Sequence, residues 1–318
     1  MPGTLTQIGI VLLTVGGLWV GARLLGDAVV RLARLFGLSD LVIGLTVVAI
    51  GTSTPELAVS LDAAFKGLSD IAVSNVLGSN VYNLAFVLGV VALLRVIPVE
   101  KSLVHRDGLA LLAGTAAAGG LLLNLSLTRL EGAALIALFV LYTVYLLKTA
   151  EEPDAEMDPD TITRDAIERP SFRARDAVLL VAGLALVLGS GDLLVRTASD
   201  LARGAGVSEW VIGGTVVAAG TSTPEFAVSL VALRRGSLGV SVGNVVGSNL
   251  FNLMGVLGLA ALIHPLTVSA DALSTLTWLG GVTVVMVAAL WSGRELSRVE
   301  GGLFASSEVV RWIVGLLG

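Results

Sequence analysis

The chain has 318 residues, of which 55% are hydrophobic and 14% are charged, and its mean hydropathy is +0.89. Ordinary soluble domains carry about 25% charged residues, so the composition indicates an integral membrane protein. The chain has no cysteine, which excludes disulfides and thiolate metal sites, and its two histidines, His105 and His264, cannot supply a His-rich zinc centre. The formal net charge of −5 is modest, and we expect no nucleic-acid partner.

Ten stretches are apolar over the roughly 20 residues that a helix needs to cross a bilayer. They lie near 5–25, 41–65, 71–94, 108–125, 131–148, 177–198, 210–233, 238–262, 272–291 and 299–317. We expect the first to be a retained span and not a cleaved signal, because no basic residue precedes Arg23 and the apolar run is long. The last is the weakest, since Ser306, Ser307, Glu308 and Arg311 interrupt it.

An internal repeat relates the two halves of the chain by an offset of 169 positions. GLSDLVIGLTVVAIGTSTPELAVSL at 37–61 returns as GVSEWVIGGTVVAAGTSTPEFAVSL at 206–230, and SNVLGSNVYNL at 74–84 returns as GNVVGSNLFNL at 243–253. RLEG at 129–132 returns as RVEG at 298–301, which supports the tenth span.

The repeat divides the chain into two five-helix units and a linker. The first unit is 1–148 with its motif at 37–94, the linker is 149–176, and the second unit is 177–318 with its motif at 206–263. Because five is odd, the two units should have opposite orientations in the membrane. The fold class is therefore an all-α integral membrane protein with ten transmembrane helices in two inverted five-helix repeats.

Basic residues fix the expected orientation. When they are assigned to alternate loops, only Lys66, Arg129 and Arg203 fall on one side. By the positive-inside rule the other side is cytoplasmic, so the termini are outside and the linker is inside. The linker is acidic, but it lacks the ligand spacing of an EF-hand loop, and we interpret it as a solvated connection. The expected location is the cell inner (plasma) membrane.

Two acidic residues, Glu56 and Glu225, lie well inside the second and seventh spans. An ionisable side chain at the centre of a membrane helix costs at least about 2.5–3.5 kcal/mol on insertion scales, so such residues need a partner. Neither of these two apolar runs contains a lysine or arginine, and a cation from solution is the natural counter-charge.

Each glutamate follows a proline, Pro55 or Pro224, which removes a backbone hydrogen bond and kinks the helix. Carbonyls near Gly51 and Gly220 then lose their helical partners, and a broken helix is tolerated where it lines a cavity. Hydroxyls add further oxygens at the same two breaks, from Thr52, Ser53, Thr221 and Ser222. Such hard oxygen ligands suit Ca²⁺, which takes six to eight oxygens.

The third and eighth spans carry a polar stripe. Asn75, Ser79 and Asn83 are spaced by four and share a helical face, and their repeat partners are Asn244, Ser248 and Asn252. Asn80 and Asn249 lie off the stripe, and we expect them to hydrogen-bond a neighbouring helix or the broken backbone. Taken singly, prolines, serines and asparagines in membrane helices often serve only structural roles, and it is their duplication that favours a transport site.

Other polar residues are expected to lie outside the site. Glu131 and Glu300 stand at the mouths of helices, where a capping role is expected. His105 and His264 are interpreted as bystanders. Acidic residues near the ends of the first and sixth spans are interpreted as interfacial: Asp27, Asp192 and Asp200.

GTSTPE with GSNVYN, and again GTSTPE with GSNLFN, resemble the two α-repeats of the Ca²⁺/cation antiporter superfamily. The prokaryotic sodium/calcium exchangers are the most similar branch. The resemblance implies ten helices in two inverted halves, with four adjacent cation sites at the midplane that serve Na⁺ and Ca²⁺ alternately. It also implies that the first and sixth helices slide as a gate across the others.

The resemblance assigns a role to each motif residue. Glu56 and Glu225 would be carboxylates shared by Ca²⁺ and Na⁺. Thr52 and Thr221 would coordinate through backbone carbonyls and Ser53 and Ser222 through hydroxyls. The outer Na⁺ sites would use backbone oxygens of Ala49 and Ala218 together with Ser79 and Ser248. Asn83 and Asn252 would line the central site.

One departure from the family bears on ion coupling, because several relatives have an aspartate at the position of Asn252. With only two carboxylates the site is neutralised by one Ca²⁺ and carries one positive charge with three Na⁺. Exchange in that ratio would be electrogenic, and the missing acid leaves stoichiometry and proton involvement open.

The sequence therefore predicts a secondary active antiporter that exchanges Ca²⁺ for Na⁺ by alternating access, without a cofactor and with a monomer sufficient for transport. The alternative within transporters is a Ca²⁺/H⁺ exchanger, in which protonation of Glu56 and Glu225 releases Ca²⁺. A cation channel is a further alternative, although channels usually gather ligands by the symmetry of several subunits. An intramembrane hydrolase is disfavoured, because the chain has no suitable nucleophile and base.

Overall fold

A computed structural model describes residues 4–34, 42, 44–98, 103–149, 174–235, 238–293 and 295–317, which are almost entirely helical. In chain order the helices are α1 (Thr4–Arg34), α2 (Gly44–Thr52 and Thr54–Phe65), α3 (Ser69–Leu94), α4 (103–122), α5 (Arg129–Thr149), α6 (Ala174–Ala205), α7 (209–221 and Thr223–Arg235), α8 (Leu238–Ile263), α9 (Asp271–Gly293) and α10 (Arg298–Leu317). Each overlaps one of the ten apolar stretches, and α1 and α6 extend beyond theirs. The predicted linker lies largely outside the described residues.

Fewer helices of the structure are long and apolar enough to span a membrane than the ten predicted from the sequence. In the described part of the chain six helices are long and apolar enough to cross a membrane, or seven if the broken α2 is counted as one span. α1 has a shorter apolar segment, Leu5–Gly21, within a helix that continues to Arg34. Helix α10 carries the charged residues that made the tenth stretch the weakest in the sequence.

Helices α2 and α7 are interrupted next to the prolines, at Ser53 and Ser222. Both serines have φ −82° and ψ near 9°, which departs from helical backbone, and Pro55 lies in the first turn of the helix that follows Ser53. The two segments of α2 meet at 51°. Because proline cannot donate a backbone hydrogen bond, it is tolerated in a first helical turn, and each helix restarts at a threonine, Thr54 or Thr223, two residues before its glutamate.

Glycines allow helices from the two halves to cross closely. A Cβ on Gly132 in α5 would lie 2.6 Å from the Gly258 carbonyl oxygen in α8, and one on Gly301 in α10 would lie 2.6 Å from the Gly89 oxygen in α3. These two contacts are repeat partners, because the offset of 169 relates Gly132 to Gly301 and Gly89 to Gly258. Small residues thus bring backbones together in a setting where hydrophobicity does not drive association.

Two short strand pairings also link the halves. β1 (Ile97–Pro98) pairs antiparallel with β4 (Glu295–Leu296), and β2 (Ser126–Leu127) pairs antiparallel with β3 (Leu266–Thr267). The offset of 169 relates β1 to β3 and β2 to β4, so it converts one pairing into the other. Each pairing contains one strand from each half. The halves are therefore intertwined and are not separate lobes.

Helices α3 and α8 form the centre of the molecule. Their apolar windows are 78% and 72% buried inside the protein, against 17% for α5, which is left for contact with lipid. The central helices are the two that carry the asparagine stripes, so the stripes face the breaks in α2 and α7.

Candidate functional site

The two glutamates are fully buried, and each accepts a hydrogen bond from the opposite half of the chain. Ser222 Oγ donates to Glu56 Oε1 over 2.7 Å, and Ser53 Oγ donates to Glu225 Oε1 over 2.8 Å. Each serine stands at the break in one helix. Each glutamate lies in the first turn after the break in the other helix, so the two breaks face each other. The predicted pair of acids therefore belongs to one cluster.

Around the break in α2 lies a group of oxygens from both halves. Thr52 Oγ1 donates to Asn244 Oδ1 over 3.0 Å, and Ser248 Oγ lies 3.4 Å from the Ala49 carbonyl oxygen. Ser248 Oγ also lies 3.4 Å from Glu225 Oε1. The first break is thus lined by side chains of α8, which belongs to the second half.

The break in α7 repeats this arrangement with the halves exchanged. Thr221 Oγ1 donates to Asn75 Oδ1 over 3.1 Å, and Ser79 Oγ donates to the Ala218 carbonyl oxygen over 3.3 Å. The hydroxyls of Ser79 and Thr221 lie 3.3 Å apart. The structure therefore gathers the predicted hydroxyls and alanine carbonyls into two matching groups.

Asn75 acts as a connector between the stripe and the break. Its Nδ2 donates to Ser60 Oγ over 3.0 Å and approaches the Glu56 carbonyl oxygen at 3.4 Å, while its Oδ1 accepts from Thr221. Ser60, which sequence reasoning missed, bonds the Ala72 carbonyl and ties α2 to α3. The signal was available, because the AVSL that follows each glutamate is part of the duplicated motif.

Several buried polar atoms at the site have no hydrogen-bond partner among the described residues. They include one carboxylate oxygen of each glutamate, Oε2, and both side-chain polar atoms of Asn83 and Asn252. Asn83 and Asn252 lie in π-helical turns of α3 and α8, where the wider backbone spacing is often found at functional sites. An unpaired polar group is costly to bury, so these atoms are suited to hold a ligand.

The prediction for Asn80 and Asn249 was wrong. Their side chains are buried but have no hydrogen-bond partner within the described ranges, neither on a neighbouring helix nor on the broken backbone. The residues that reach the broken backbone are their chain neighbours on the stripe, since Ser79 Oγ bonds the Ala218 carbonyl and Ser248 Oγ lies 3.4 Å from the Ala49 carbonyl oxygen.

Four of the residues expected outside the site have contacts elsewhere, whereas the side chain of Asp27 lies outside the described residues. Glu131 accepts hydrogen bonds from the backbone N–H and hydroxyl of Thr128, and Glu300 does the same with Ser297, so both close N-terminal capping boxes. The His105 ring packs 4.4 Å from that of Trp291. Asp192 lies in ion pairs with Lys66 and Arg196.

The cluster has the ligand chemistry that a cation site would need. It offers carboxylate, hydroxyl, amide and carbonyl oxygens, which hard cations such as Ca²⁺ and Na⁺ prefer. In the part of the chain that the structure describes, no group of three or more histidines, cysteines, aspartates or glutamates gathers, so the only close acids at this site are Glu56 and Glu225. A divalent ion would balance the charge of the two carboxylates.

Comparisons with known proteins place this geometry in a family. The family model described as sodium/calcium exchanger protein matches residues 6–148 and 176–310. The inner membrane protein YrbG of Escherichia coli is 38% identical over 74% of this chain and 73% of its own. The sodium/calcium exchanger MaX1 of Methanosarcina acetivorans is 30% identical over 85% of this chain and 87% of its own.

A solved structure supports the same relation. The sodium-calcium exchanger NCX_Mj, in crystals soaked with Na⁺ and Sr²⁺, superposes with a TM-score of 0.70 at 30% identity, covering 97% of this chain and 98% of that one. The family model matches once in each half, on either side of the linker, as expected for a duplicated unit. This multi-pass membrane protein belongs to the sodium/calcium exchanger protein family.

Proposed function

We propose that the protein is a secondary active antiporter that exchanges Ca²⁺ for Na⁺ at the cluster around Glu56 and Glu225. The observation that carries the proposal is the reciprocal pair of hydrogen bonds, in which each half places its serine on the other half's glutamate. This arrangement puts two carboxylates and two broken helices at one buried point between the halves, where the sites of inverted-repeat transporters lie.

Each predicted residue receives a role in this proposal. Glu56 and Glu225 bind both ions, and Asn83 and Asn252 line the central position with their unpaired amides. The remaining ligands are assigned to the two outer groups: Thr52, Ser53, Ser248 and Ala49 in one, and Thr221, Ser222, Ser79 and Ala218 in the other. Na⁺ and Ca²⁺ then compete for overlapping oxygens, which couples their movements.

We further propose that ten helices span the inner membrane as two inverted repeats, with the termini outside and the linker 149–176 in the cytoplasm. The repeated crossings at Gly89, Gly132, Gly258 and Gly301 support this arrangement, because each occurs twice with the halves exchanged. So do the two strand pairings. One chain contains both halves of the site, and a monomer is sufficient for transport.

The choice between Na⁺ and H⁺ coupling can be tested in proteoliposomes. Vesicles loaded with Na⁺ should accumulate radioactive Ca²⁺ when diluted into Na⁺-free medium, and vesicles loaded with choline should not. A pH gradient imposed without Na⁺ should drive little uptake. Uptake that ignores the Na⁺ gradient but follows the pH gradient would replace this proposal with Ca²⁺/H⁺ exchange.

The same vesicles test the channel alternative. An antiporter moves Ca²⁺ only against a counter-ion, so uptake should stop once the Na⁺ gradient is collapsed by an ionophore. Ca²⁺ entry that continues down its own gradient at the same rate would indicate a channel.

A further inference from the structure

An ion pair joins the end of α2 to the side of α6. Lys66, directly after α2, lies 2.6 Å from Asp192 Oδ1. Each member also has a partner on its own side of the contact, since Lys66 bonds Asp62 and Asp192 bonds Arg196. The pair therefore bridges an element of the first half and an element of the second half.

Beneath this pair, α6 lies directly on the segment of α2 that begins at the break. A Cβ on Gly191 would contact Val59 Cγ2 at 3.4 Å and Ala58 Cβ at 3.6 Å. Ala58 is two residues from Glu56 and is 7% exposed. Helix α6 thus covers the segment that carries the first glutamate. The Lys66–Asp192 pair joins α6 to the C-terminal end of that segment.

The repeat defines a corresponding contact on the other side of the site, between α1 and the second segment of α7. The offset of 169 pairs Lys66 with Arg235 and Asp192 with Arg23. The offset also pairs Asp62, the second acidic partner of Lys66, with Val231, so no acidic residue stands at that repeat position. An attractive pair on one side therefore corresponds to two positive charges on the other.

The neighbouring charges do not cancel this difference. Asp27 stands at the repeat position of Arg196, one helical turn from Arg23. The four positions on the Lys66 side hold two acidic and two basic residues: Asp62, Lys66, Asp192 and Arg196. Their repeat positions in the sequence hold one acidic and two basic residues: Val231, Arg235, Arg23 and Asp27.

We propose that Lys66 and Asp192 form a one-sided latch that favours the state in which α6 covers the second segment of α2, over the opposite state in which α1 covers the second segment of α7. The inference rests on the alternating access of the proposed function. In an inverted repeat the two covers are equivalent by fold, so a charge difference between them sets which state is more populated. Lys66 and Asp192 are positioning residues and do not touch the transported ion.

The expected size of the effect is modest. Both side chains are partly exposed, at 27% and 39%, and ion pairs of this kind contribute little. Loss of the pair should therefore change the ratio of the two states by about two- to fivefold.

The absence of cysteine from the chain makes a direct test possible. Ala58→Cys reports exposure of the segment under α6, and Ala227→Cys, its repeat partner, reports the opposite segment. Each single-cysteine protein is reconstituted, and its rate of labelling by a membrane-impermeant maleimide is measured from either side. Thermal unfolding of every variant checks that it is folded.

Lys66→Gln and Asp192→Asn should each speed labelling at Ala58→Cys and slow labelling at Ala227→Cys by about two- to fivefold. Arg23→Asp should cause the same shift with the native pair intact, because it replaces one of the two positive charges at the repeat positions by a negative one. Choline chloride at about 1 M, which shortens the screening length of electrostatic interactions to about 3 Å, should reduce all three effects.

Arg196→Gln is the matched control, since Arg196 pairs with Asp192 only along α6 and does not reach α2. Its labelling rates should match those of the parent. Equal rates in the parent, Lys66→Gln and Arg23→Asp would overturn the latch, and so would a rise at both reporters, which would indicate general loosening. Labelling needs no counter-ion, so a failure of Na⁺ coupling would leave these outcomes distinguishable.

Discussion

The two serines at the helix breaks offer a quantitative test of the site. Ser222→Ala removes the hydroxyl that donates to Glu56 Oε1 over 2.7 Å, and Ser53→Ala removes its counterpart on Glu225 Oε1. The other carboxylate oxygen of each glutamate, Oε2, has no hydrogen-bond partner among the described residues. Each substitution therefore takes away a hydrogen bond that orients a buried carboxylate.

Hydrogen bonds to charged groups contribute about 1.5–3 kcal/mol. At about 1.4 kcal/mol for each factor of ten, kcat/KM for Ca²⁺ should fall by roughly 10- to 150-fold in either variant. Ser53→Ala leaves Ser248 Oγ 3.4 Å from Glu225 Oε1, so its loss should be no larger than that of Ser222→Ala, whose contact is also 0.1 Å shorter. Initial rates of Na⁺-driven Ca²⁺ uptake in proteoliposomes, measured over a range of Ca²⁺ concentrations, give the comparison.

The adjacent threonines are matched controls. Among the described residues, Thr54 Oγ1 donates only to the Ile50 carbonyl and Thr223 Oγ1 only to the Ala219 carbonyl, each over 3.0 Å. Thr54→Ala and Thr223→Ala remove a hydroxyl from the same breaks without reaching a glutamate, and should change kcat/KM by less than about threefold. Serine variants that transport as well as these controls would refute the reasoning.

Two further predictions concern stability, measured by thermal unfolding in detergent. Gly132→Ala and Gly301→Ala each place a Cβ 2.6 Å from a carbonyl oxygen of a facing helix and should cost about 1–3 kcal/mol, whereas Gly120→Ala meets nothing within 4 Å and should be neutral. Arg311→Met leaves the Glu308 carboxylate, 1% exposed, without its positive partner and with the hydrogen bond from Trp312 Nε1; it should cost about 3–5 kcal/mol, and the added Glu308→Gln should recover most of the loss.

Much of the site could be predicted from the sequence because burial makes it exceptional. A glutamate after a proline in an apolar run has few structural explanations, and finding the same arrangement again at Glu225 removes most of them. The breaks at Ser53 and Ser222 follow from local chemistry, since proline lacks a donor wherever it stands. These features depend on a few adjacent residues and on the repeat.

The pairing across the halves could not be predicted, because it depends on how the breaks meet in space. The sequence placed Ser53 beside Glu56, but in the structure its hydroxyl bonds Glu225. The expectation for Asn80 and Asn249 was wrong, because the neighbouring serines Ser79 and Ser248 are the residues that approach the broken backbone. Ser60 went unnoticed because serines are common in membrane helices.

The lengths of the helices could not be predicted from the hydropathy pattern either. The predicted first span ended near residue 25, whereas α1 continues to Arg34, and α6 extends from Ala174 to Ala205 around a shorter apolar run. Hydropathy detects the part of a helix that suits hydrocarbon, and a helix can continue into water once its turns are formed. The ends of such helices therefore differ from the ends of the spans.

The central claim is that Glu56 and Glu225 together bind the transported ion. Calorimetric titration of Ca²⁺ into the purified protein in Na⁺-free buffer tests it most directly, with Glu56→Gln and Glu225→Gln as the variants. The account predicts saturable binding that Na⁺ displaces in the parent protein and that either substitution abolishes while the protein stays folded. Ca²⁺ binding of unchanged affinity in either variant would contradict it.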